Sequence, residues 1–194
     1  MSKSIVRNEM KIKLTSLNQN SYLTYSKEIE KRLLLERSVQ DASIIGITIS
    51  AFPEVNTEGI IKRLWDMGKT IVVPKCSPKE RLMTFYKIDS YDQLETVYMQ
   101  LKEPNPHLTV AVTPKEIDLL IVPGIVYCNS GYRIGYGGGY YDRFLTKFNG
   151  HTISLAFDFQ VMDEVVRDMF DMPVDKIVTN KQIIPCKENR AKEV

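Results

Sequence analysis

The sequence predicts an α/β domain built around a mostly parallel sheet, because strand and helix patterns alternate along the chain. Residues 43–50 are a continuous β-branched run, as expected of a strand that is buried on both faces. A helix capped by Thr57 and ending at Gly68 leads to a second strand at 70–74. A strand–helix–strand unit of this length, roughly 30 residues, is typical of parallel pairing.

The same order recurs in the second half of the chain. An apolar run at 119–123 predicts a strand, a helix is expected over 139–148, and a further strand follows at 152–157. No linker rich in Gly or Ser interrupts the chain, and 194 residues are enough to bury one core. We therefore expect a single catalytic domain spanning 1–194.

The N-terminal residues, 1–38, are predicted to form a helical pair packed on this core. Apolar residues recur at helical spacing over 5–12 and again over 22–34, and the second helix is expected to run to about residue 38. Lys3 and Arg7 lie one turn apart on the first helix. From spacing alone, both are expected to be solvated surface charges.

Two acidic residues follow the first predicted strand, where ligands of open α/β sheets bind. Glu58 lies in the first turn of the following helix, where a carboxylate stabilises the helix dipole. Glu54 lies in the loop and has no such structural role. A substrate contact and an ordinary loop position both remain open for Glu54.

The remaining elements have weaker patterns. The sequence predicts a strand at 82–88 at an edge of the sheet, a helical turn at 163–170, and small strands at 177–178 and 182–184. Residues 89–117 carry the least pattern. These segments are assigned to the same domain as the two strand–helix–strand units.

Charge and hydropathy exclude two classes of partner. Lys and Arg number 26 and Asp and Glu number 24, so the net charge of +2 indicates no surface for coating nucleic acid. The longest apolar runs are shorter than a membrane-spanning helix requires. We expect no nucleic-acid or membrane partner and, because no apolar stripe marks an interface, a monomer.

The cysteine pattern indicates a reducing compartment. Cys76, Cys128 and Cys186 are far apart in the sequence and form no C-x-x-C pair or His–Cys cluster, which argues against a zinc site. No signal-like apolar segment opens the chain. The thiols are therefore expected to be reduced and the protein cytoplasmic.

The most informative stretch is 118–145, in which an apolar strand leads into a glycine-rich loop. Glycine occupies position 135 and positions 137–139, so backbone amides are able to approach an anion closely. No lysine follows the glycines as a P-loop requires, and Tyr140 stands where a dinucleotide motif needs its third glycine. An anion site and a tight structural turn both remain open.

Two charged residues flank this loop. Arg133 precedes it and has a guanidinium suited to phosphate oxygens. Asp142 follows it, and its carboxylate would repel a bound phosphate unless a cation such as Mg²⁺ lay between them. Without a ligand, Asp142 would instead pair with Arg143 or with the helix dipole.

The run VPGIVYCNSGYRIGYGGGYYDRFL in this stretch resembles the signature of the 5-formyltetrahydrofolate cyclo-ligases. The likeness extends over nearly the whole chain. It includes the basic N-terminal helix, the segment Ser-Ala-Phe-Pro-Glu-Val-Asn-Thr-Glu after the first strand, and Val-Pro-Lys after the second. This chain departs from the family pattern at Cys128, where many members carry an acid, and at Ile134, where Leu is usual.

The resemblance implies a three-layer, Rossmann-like α/β sandwich and an enzyme that uses Mg²⁺ and ATP. It would cyclise 5-formyltetrahydrofolate to 5,10-methenyltetrahydrofolate and release ADP and phosphate. The formyl oxygen would attack the γ-phosphate, and N10 would then close onto the formyl carbon as phosphate leaves. This chemistry needs positioning and charge stabilisation rather than a protein nucleophile.

The resemblance also assigns roles to individual residues, with no catalytic nucleophile among them. Implied ATP contacts are Lys3, Arg7, Arg133, Ile134, Gly135, Tyr136, Gly137, Gly138, Gly139, Tyr140 and Tyr141. Implied folate contacts are Ile49, Glu54, Gly137, Gly138, Gly139 and Tyr140. The resemblance also implies that Arg133, Gly138 and Tyr140 position the reacting groups. Implied magnesium ligands are Asp142 and Asp175, the latter on resemblance alone.

Two other functions remain open. An enzyme resembling sugar-phosphate isomerases would use the glycine loop for a substrate phosphate without ATP or Mg²⁺, although Asp142 fits poorly beside a phosphate with no metal. A non-catalytic nucleotide-binding regulator would need a partner surface. No exposed apolar helix or charged tail in the sequence indicates one.

Overall fold

A computed structural model describes residues 2–97 and 101–192. The helices are α1 Lys3–Thr15, α2 Gln19–Leu34, α3 Arg37–Asp41, α4 Glu58–Asp66, α5 Tyr140–Leu145 and α6 Cys186–Lys192. The strands are β1 Ile44–Gly46, β2 Thr70–Ser77, β3 Leu82–Ile88, β4 Leu94–Thr96, β5 Lys102–Pro104, β6 Val110–Val112, β7 Leu119–Ile121, β8 Val126–Cys128, β9 Arg133–Ile134, β10 His151–Ala156, β11 Val161–Met162, β12 Lys176–Thr179 and β13 Ile183–Ile184. None of the described helices is long and apolar enough to cross a membrane.

The central sheet has eight strands in the order β13-β12-β10-β7-β1-β2-β3-β6. Strands β12, β10, β7, β1 and β2 are parallel to one another, whereas β13, β3 and β6 run antiparallel to their neighbours. Both predicted units, β1–α4–β2 and β7–α5–β10, therefore form parallel pairs. The predicted mostly parallel sheet is confirmed.

Two apolar cores lie on opposite faces of this sheet. In β7, Leu119 and Ile121 belong to one core and Leu120 to the other, because successive side chains of a strand point to opposite faces. Helices α1, α2 and α4 contribute buried residues to the first core, and α5 and α6 contribute to the second. Helices thus cover both faces, which gives the expected three layers.

Several predicted boundaries are wrong. The second helix ends at Leu34 rather than at about residue 38, and the extended backbone of Glu36 separates it from α3. The carboxylate of Glu36 accepts a hydrogen bond from Lys176 Nζ at 2.6 Å, which ties this break to the sheet. The strand at 82–88 is confirmed, but β6 pairs outside it, so it is not at the edge.

The predicted helical turn at 163–170 is also wrong. The segment is irregular, and side chains rather than helical backbone bonds hold it. Asp171 Oδ2 accepts a hydrogen bond from Asp168 N at 2.7 Å, and the Arg167 guanidinium lies 4.7 Å from the ring centre of Tyr132. Local sequence pattern does not reveal such contacts.

A small second sheet was not predicted from the sequence, and its strand β9 leads directly into the glycine loop. Strand β8 pairs with β11 in parallel and with β9 in antiparallel fashion. Gly131 makes the turn between β8 and β9 with a φ of +87°, and a Cβ there would lie 2.4 Å from the Val174 carbonyl oxygen. A side chain at this turn would displace the segment that precedes β12.

Candidate active site

A pocket of about 870 Å³ opens beside the glycine loop, beyond the carboxyl ends of the parallel strands. Pro123, which follows β7, and Cys76, near the end of β2, belong to its walls. All of the predicted ATP contacts also line it: Lys3, Arg7 and the continuous run 133–141. Ligands of open α/β sheets bind at this edge, so the position agrees with a nucleotide site.

The glycine loop needs its glycines for backbone conformation. Gly137 has a φ of +105° and Gly139 a φ of +64°, values that residues with a side chain rarely adopt. At Gly138, an added Cβ would lie 2.8 Å from the ring of Tyr140. The loop therefore presents bare backbone to the pocket while the Tyr140 ring packs against it.

Lys3 and Arg7 of α1 lie against this loop and the segment that precedes β12. Arg7 Nε donates a hydrogen bond to the Gly135 carbonyl oxygen at 2.8 Å. Lys3 Nζ lies 2.7 Å from Asp168 Oδ2 and 2.5 Å from Asp171 Oδ2. The expectation from spacing, that both are merely solvated charges, is wrong. Although burial lowers the pKa of Lys3, its two acidic partners outweigh that effect and raise the pKa above its usual value.

Arg133 is a buried framework residue rather than a free cation. Its side chain is 3% exposed, and Nη1 donates to the Met172 carbonyl oxygen at 2.6 Å. Nε donates to the Pro123 carbonyl oxygen at 3.3 Å, and Nη2 lies 3.2 Å from Asp142 Oδ1. Arg133 therefore joins the end of β7, the segment before β12 and the predicted metal ligand.

Asp142 and Asp171 are two of the three carboxylates that line the large pocket, the third being Asp168. The described residues contain no cluster of three or more metal-ligating side chains. The contacts that described residues make to Asp142, from Arg133 and from Met172 N at 3.2 Å, all use Oδ1. Those made to Asp171, from Lys3 and from Asp168 N, all use Oδ2. One oxygen of each carboxylate therefore remains for a hard cation, which prefers such ligands.

The structure does not bring Asp175 to this pair. Asp175 immediately precedes β12, where its Oδ2 accepts hydrogen bonds from Thr152 N and Thr152 Oγ1, each at 2.9 Å. Because Ile153 of β10 pairs with Lys176 of β12, Asp175 lies where these strands begin, away from the carboxyl ends that face the pocket. The geometry therefore gives no support to Asp175 as the partner of Asp142.

Sequence reasoning missed Asp171 and its neighbours. Asp171 and Asp175 are separated by three residues, and nothing in the local pattern distinguishes a pocket carboxylate from one that binds a strand. Met169 and Phe170 also line the pocket and are 88% and 74% exposed. The pairing of Lys3 with Asp171, across 168 positions of sequence, is visible only in the fold.

A second, smaller pocket adjoins the first. It has a volume of about 40 Å³ and lies at the carboxyl ends of β1 and β7. Glu54 lines it, as do Thr48 and Ser50. Ile49, the other predicted folate contact in this region, packs against the first core instead and lines neither pocket.

Hydrogen bonds hold the Glu54 carboxylate in place. Oε1 accepts from the Tyr136 hydroxyl at 2.5 Å, and Oε2 accepts from Ala51 N at 3.3 Å. Burial raises the pKa of Glu54, and these two hydrogen bonds oppose the rise. Thr57 supports the same loop: its hydroxyl donates to the Thr48 carbonyl oxygen at 2.8 Å and accepts from Ser50 N at 3.0 Å. Thr57 is the N-cap residue of α4, as predicted, but its side chain makes no capping hydrogen bond.

Two further side chains bear on the chemistry of the large pocket. Tyr141 has a buried hydroxyl with no hydrogen-bond partner among the described residues, an arrangement that a bound ligand would satisfy. Burial, together with the nearby carboxylate of Glu103, raises the pKa of Cys76 to about 11. Because a thiolate is the nucleophilic form, Cys76 is poorly suited to covalent catalysis.

Residues 1–180 match the model of the 5-formyltetrahydrofolate cyclo-ligase family. The chain belongs to this family. The matched range contains every residue of the large pocket and every residue of the small one. This cyclo-ligase family member therefore carries both pockets within the part of the chain that defines the family.

Named relatives span most of the chain. The mouse 5-formyltetrahydrofolate cyclo-ligase is 27% identical over 184 residues, covering 89% of this chain and 91% of its own. The Escherichia coli K12 5-formyltetrahydrofolate cyclo-ligase is 28% identical over 157 residues, covering 78% and 86%.

Solved structures share the fold. That of Aquifex aeolicus 5,10-methenyltetrahydrofolate synthetase has a TM-score of 0.86 at 26% identity, covering 96% of this chain and 94% of that one. That of the Mycoplasma pneumoniae 5,10-methenyltetrahydrofolate synthetase has a TM-score of 0.76 at 21% identity, covering 93% and 99%. At this identity, the second likeness concerns the fold alone.

Proposed function

We propose that the chain cyclises 5-formyltetrahydrofolate to 5,10-methenyltetrahydrofolate, using ATP and Mg²⁺ and releasing ADP and phosphate. Family membership supports the reaction. The observation that supports its location is the pair of adjoining pockets, one bounded by the glycine loop and the other by Glu54. A nucleotide and a folate bound there would meet at the loop.

The large pocket suits ATP in size and charge. Its volume of about 870 Å³ falls within the range of roughly 300–1,000 Å³ that is usual for small-molecule sites. Lys3 and Arg7 supply positive charge, and the backbone of 135–139 allows phosphate oxygens to approach amide groups. The Tyr141 hydroxyl has no hydrogen-bond partner among the described residues, and it adds a donor that stays protonated, because burial raises its pKa well above the usual range.

Asp142 and Asp171 are the proposed magnesium ligands. Each leaves one carboxylate oxygen without a contact from the described residues, and both line the same pocket as the glycine loop. Mg²⁺ bound there would neutralise phosphate charge and favour transfer of the γ-phosphoryl group. The buried guanidinium of Arg133 holds the Asp142 carboxylate in position for this role.

The small pocket is the proposed site of the pterin ring. Pterins carry N–H groups, and the Glu54 carboxylate is an acceptor at the end of the pocket. Burial raises the pKa of Glu54 because it disfavours the charged carboxylate. Hydrogen bonds from the pterin N–H groups would stabilise that charged form. Ile49 lines neither pocket, so any part it plays in folate binding would be indirect.

The chain's task in the reaction is then to position two substrates and exclude water. No protein nucleophile is needed, because the formyl oxygen of the folate attacks the γ-phosphate. Gly138 lets the Tyr140 ring pack against the loop, and the Arg143 guanidinium lies 5.3 Å from the centre of that ring. These contacts fix the loop where phosphoryl transfer would occur.

The proposal includes a monomer in the cytoplasm. The three cysteines are all free thiols, which is usual for proteins of a reducing compartment. A single chain contributes both pockets, so no partner is required for a complete site.

One assay tests the function. The protein is incubated with 5-formyltetrahydrofolate and Mg-ATP, and the near-ultraviolet absorbance of the methenyl product is followed. Folded protein that produces no signal would refute the proposal. Folded protein that neither turns over the folate nor binds Mg-ATP would favour an isomerase-like enzyme, and nucleotide binding without turnover would favour a regulator.

A variant tests the metal assignment in the same assay. Asp142→Asn is expected to fold and to lose more than roughly 100-fold in turnover, since loss of an outer partner of a metal ligand already costs about 10- to 100-fold. The matched control is Asp66→Asn, at an exposed acid of α4 whose side chain is 71% exposed. Parent-like turnover of Asp142→Asn would remove Asp142 from the proposed metal site.

A further inference from the structure

Tyr136 forms the wall between the two pockets. Its side chain lines the large pocket at the glycine loop and also the small pocket that contains Glu54. Its hydroxyl donates to Glu54 Oε1 at 2.5 Å. A residue of the nucleotide loop is therefore bonded to the carboxylate of the folate side, 82 positions earlier in the sequence.

The small pocket is narrow in this arrangement, although it is not enclosed. Its volume of about 40 Å³ compares with about 870 Å³ for the adjoining large pocket and with roughly 300–1,000 Å³ for usual small-molecule sites. The pocket must therefore widen before a folate enters. Tyr136 is the residue we expect to move, because it lines both this pocket and the large one.

Tyr136 has few restraints against such movement. Its side chain is 54% exposed, although it lies between two pockets. It is flanked by Gly135 and Gly137; a Cβ at Gly135 would meet no atom within 4 Å, and Gly137 has a φ of +105°. The Lys11 ammonium lies 5.5 Å from the ring centre. The bond to Glu54 is the one hydrogen bond that the Tyr136 side chain makes to a described residue.

We propose that Tyr136 is a gating residue of the folate site, whose hydroxyl occupies Glu54 until the incoming pterin takes its place. This inference rests on the proposed function, because it assigns the small pocket to folate. In the closed arrangement the phenol hydroxyl competes with the substrate's N–H groups for the same carboxylate. In the open arrangement the two pockets join, and the folate lies beside the glycine loop.

Tyr136→Phe tests the gate, since it keeps the ring and removes the competing hydroxyl. The apparent dissociation constant of 5-formyltetrahydrofolate, measured by calorimetry without ATP, is expected to fall roughly 3- to 10-fold, because that constant is the intrinsic value divided by the open fraction. The dissociation constant of Mg-ATP, measured without folate, is expected to change less than about twofold. Tyr86→Phe is the matched control, because Tyr86 lies on β3 and lines neither pocket.

The outcomes separate this inference from the function on which it rests. A parent protein that does not bind 5-formyltetrahydrofolate refutes the proposed function and the gate together. If the parent binds it and Tyr136→Phe binds it equally or more weakly, the gate alone is refuted. A matching loss of Mg-ATP affinity in Tyr136→Phe would also refute it, because the hydroxyl would then serve the nucleotide loop.

Discussion

Arg133→Ala provides a sharp test of how the large pocket is built. The guanidinium is almost fully buried and contacts Pro123, Met172 and Asp142. Removing it would leave the partly buried carbonyl oxygens of Pro123 and Met172 without this donor, and Asp142 Oδ1 would keep only the Met172 N–H among its donors from the described residues. We therefore expect a large loss of stability in addition to any loss of activity.

The magnitude follows from these contacts. Removing one partner of a buried ion pair costs roughly 3–5 kcal/mol. The Asp142 side chain is 29% exposed, so water compensates part of that loss and the lower end, about 3 kcal/mol, applies. For a chain of this size, each kcal/mol shifts the melting temperature by roughly 2–4 °C, so the expected decrease is about 6–12 °C.

Urea unfolding and a thermal melt measure this loss, and Mg-ATP titration follows in parallel. Arg63→Ala is the matched control, since the Arg63 side chain is 63% exposed and surface substitutions usually change stability by less than about 0.5 kcal/mol. A loss below about 1 kcal/mol in Arg133→Ala, with Mg-ATP affinity reduced more than about tenfold, would refute the reasoning. The guanidinium would then serve phosphate rather than the framework.

Two further predictions concern carboxylates. Asp171→Asn is expected to weaken Mg-ATP binding. Asp175→Asn should retain Mg-ATP binding and lose about 1–2 kcal/mol in urea unfolding, because its charge-assisted bonds to Thr152 weaken. The reverse result would restore Asp175 as a metal ligand. Glu54→Gln should gain stability relative to the parent as pH rises from the ordinary pKa of glutamate, 4.5, to the raised pKa of the folded state. Because burial raises the pKa of Glu54 in the folded state, the parent loses stability as the pH rises towards that pKa, and glutamine does not titrate. A difference between parent and Glu54→Gln that stays constant across this range would contradict the assignment.

The sequence-based predictions that the structure and the family match confirm rest on hydrophobic periodicity and on the long signature around the glycine loop. The strands predicted at 119–123 and 152–157 are present as β7 at Leu119–Ile121 and β10 at His151–Ala156, and they pair in the buried parallel sheet. Lys3, Arg7 and the glycine loop were predicted to contact ATP, and all of them line one pocket. Their roles towards ATP and folate stay predictions.

Other features depended on contacts that no local pattern contains. The segment 163–170 was predicted to be helical, but its shape comes from bonds between Asp168, Asp171 and Lys3. Arg133 was predicted to bind phosphate because it adjoins glycines. The fold buries it against Met172, 39 positions away, and it also lines the large pocket, so its contact with ATP stays a prediction.

Residue types and local patterns can be recognised in the sequence, whereas the positions of individual side chains depend on the tertiary structure. Residue types and spacing identified an α/β chain with a glycine loop, flanking charges and a family resemblance, because these properties are local to short stretches. The choice between Asp171 and Asp175 belongs to the tertiary structure: the register of β10 and β12 places Asp175 where these strands begin, and Asp171 faces the pocket. The contact between Tyr136 and Glu54 likewise exists only because the fold brings two distant loops to one edge of the sheet.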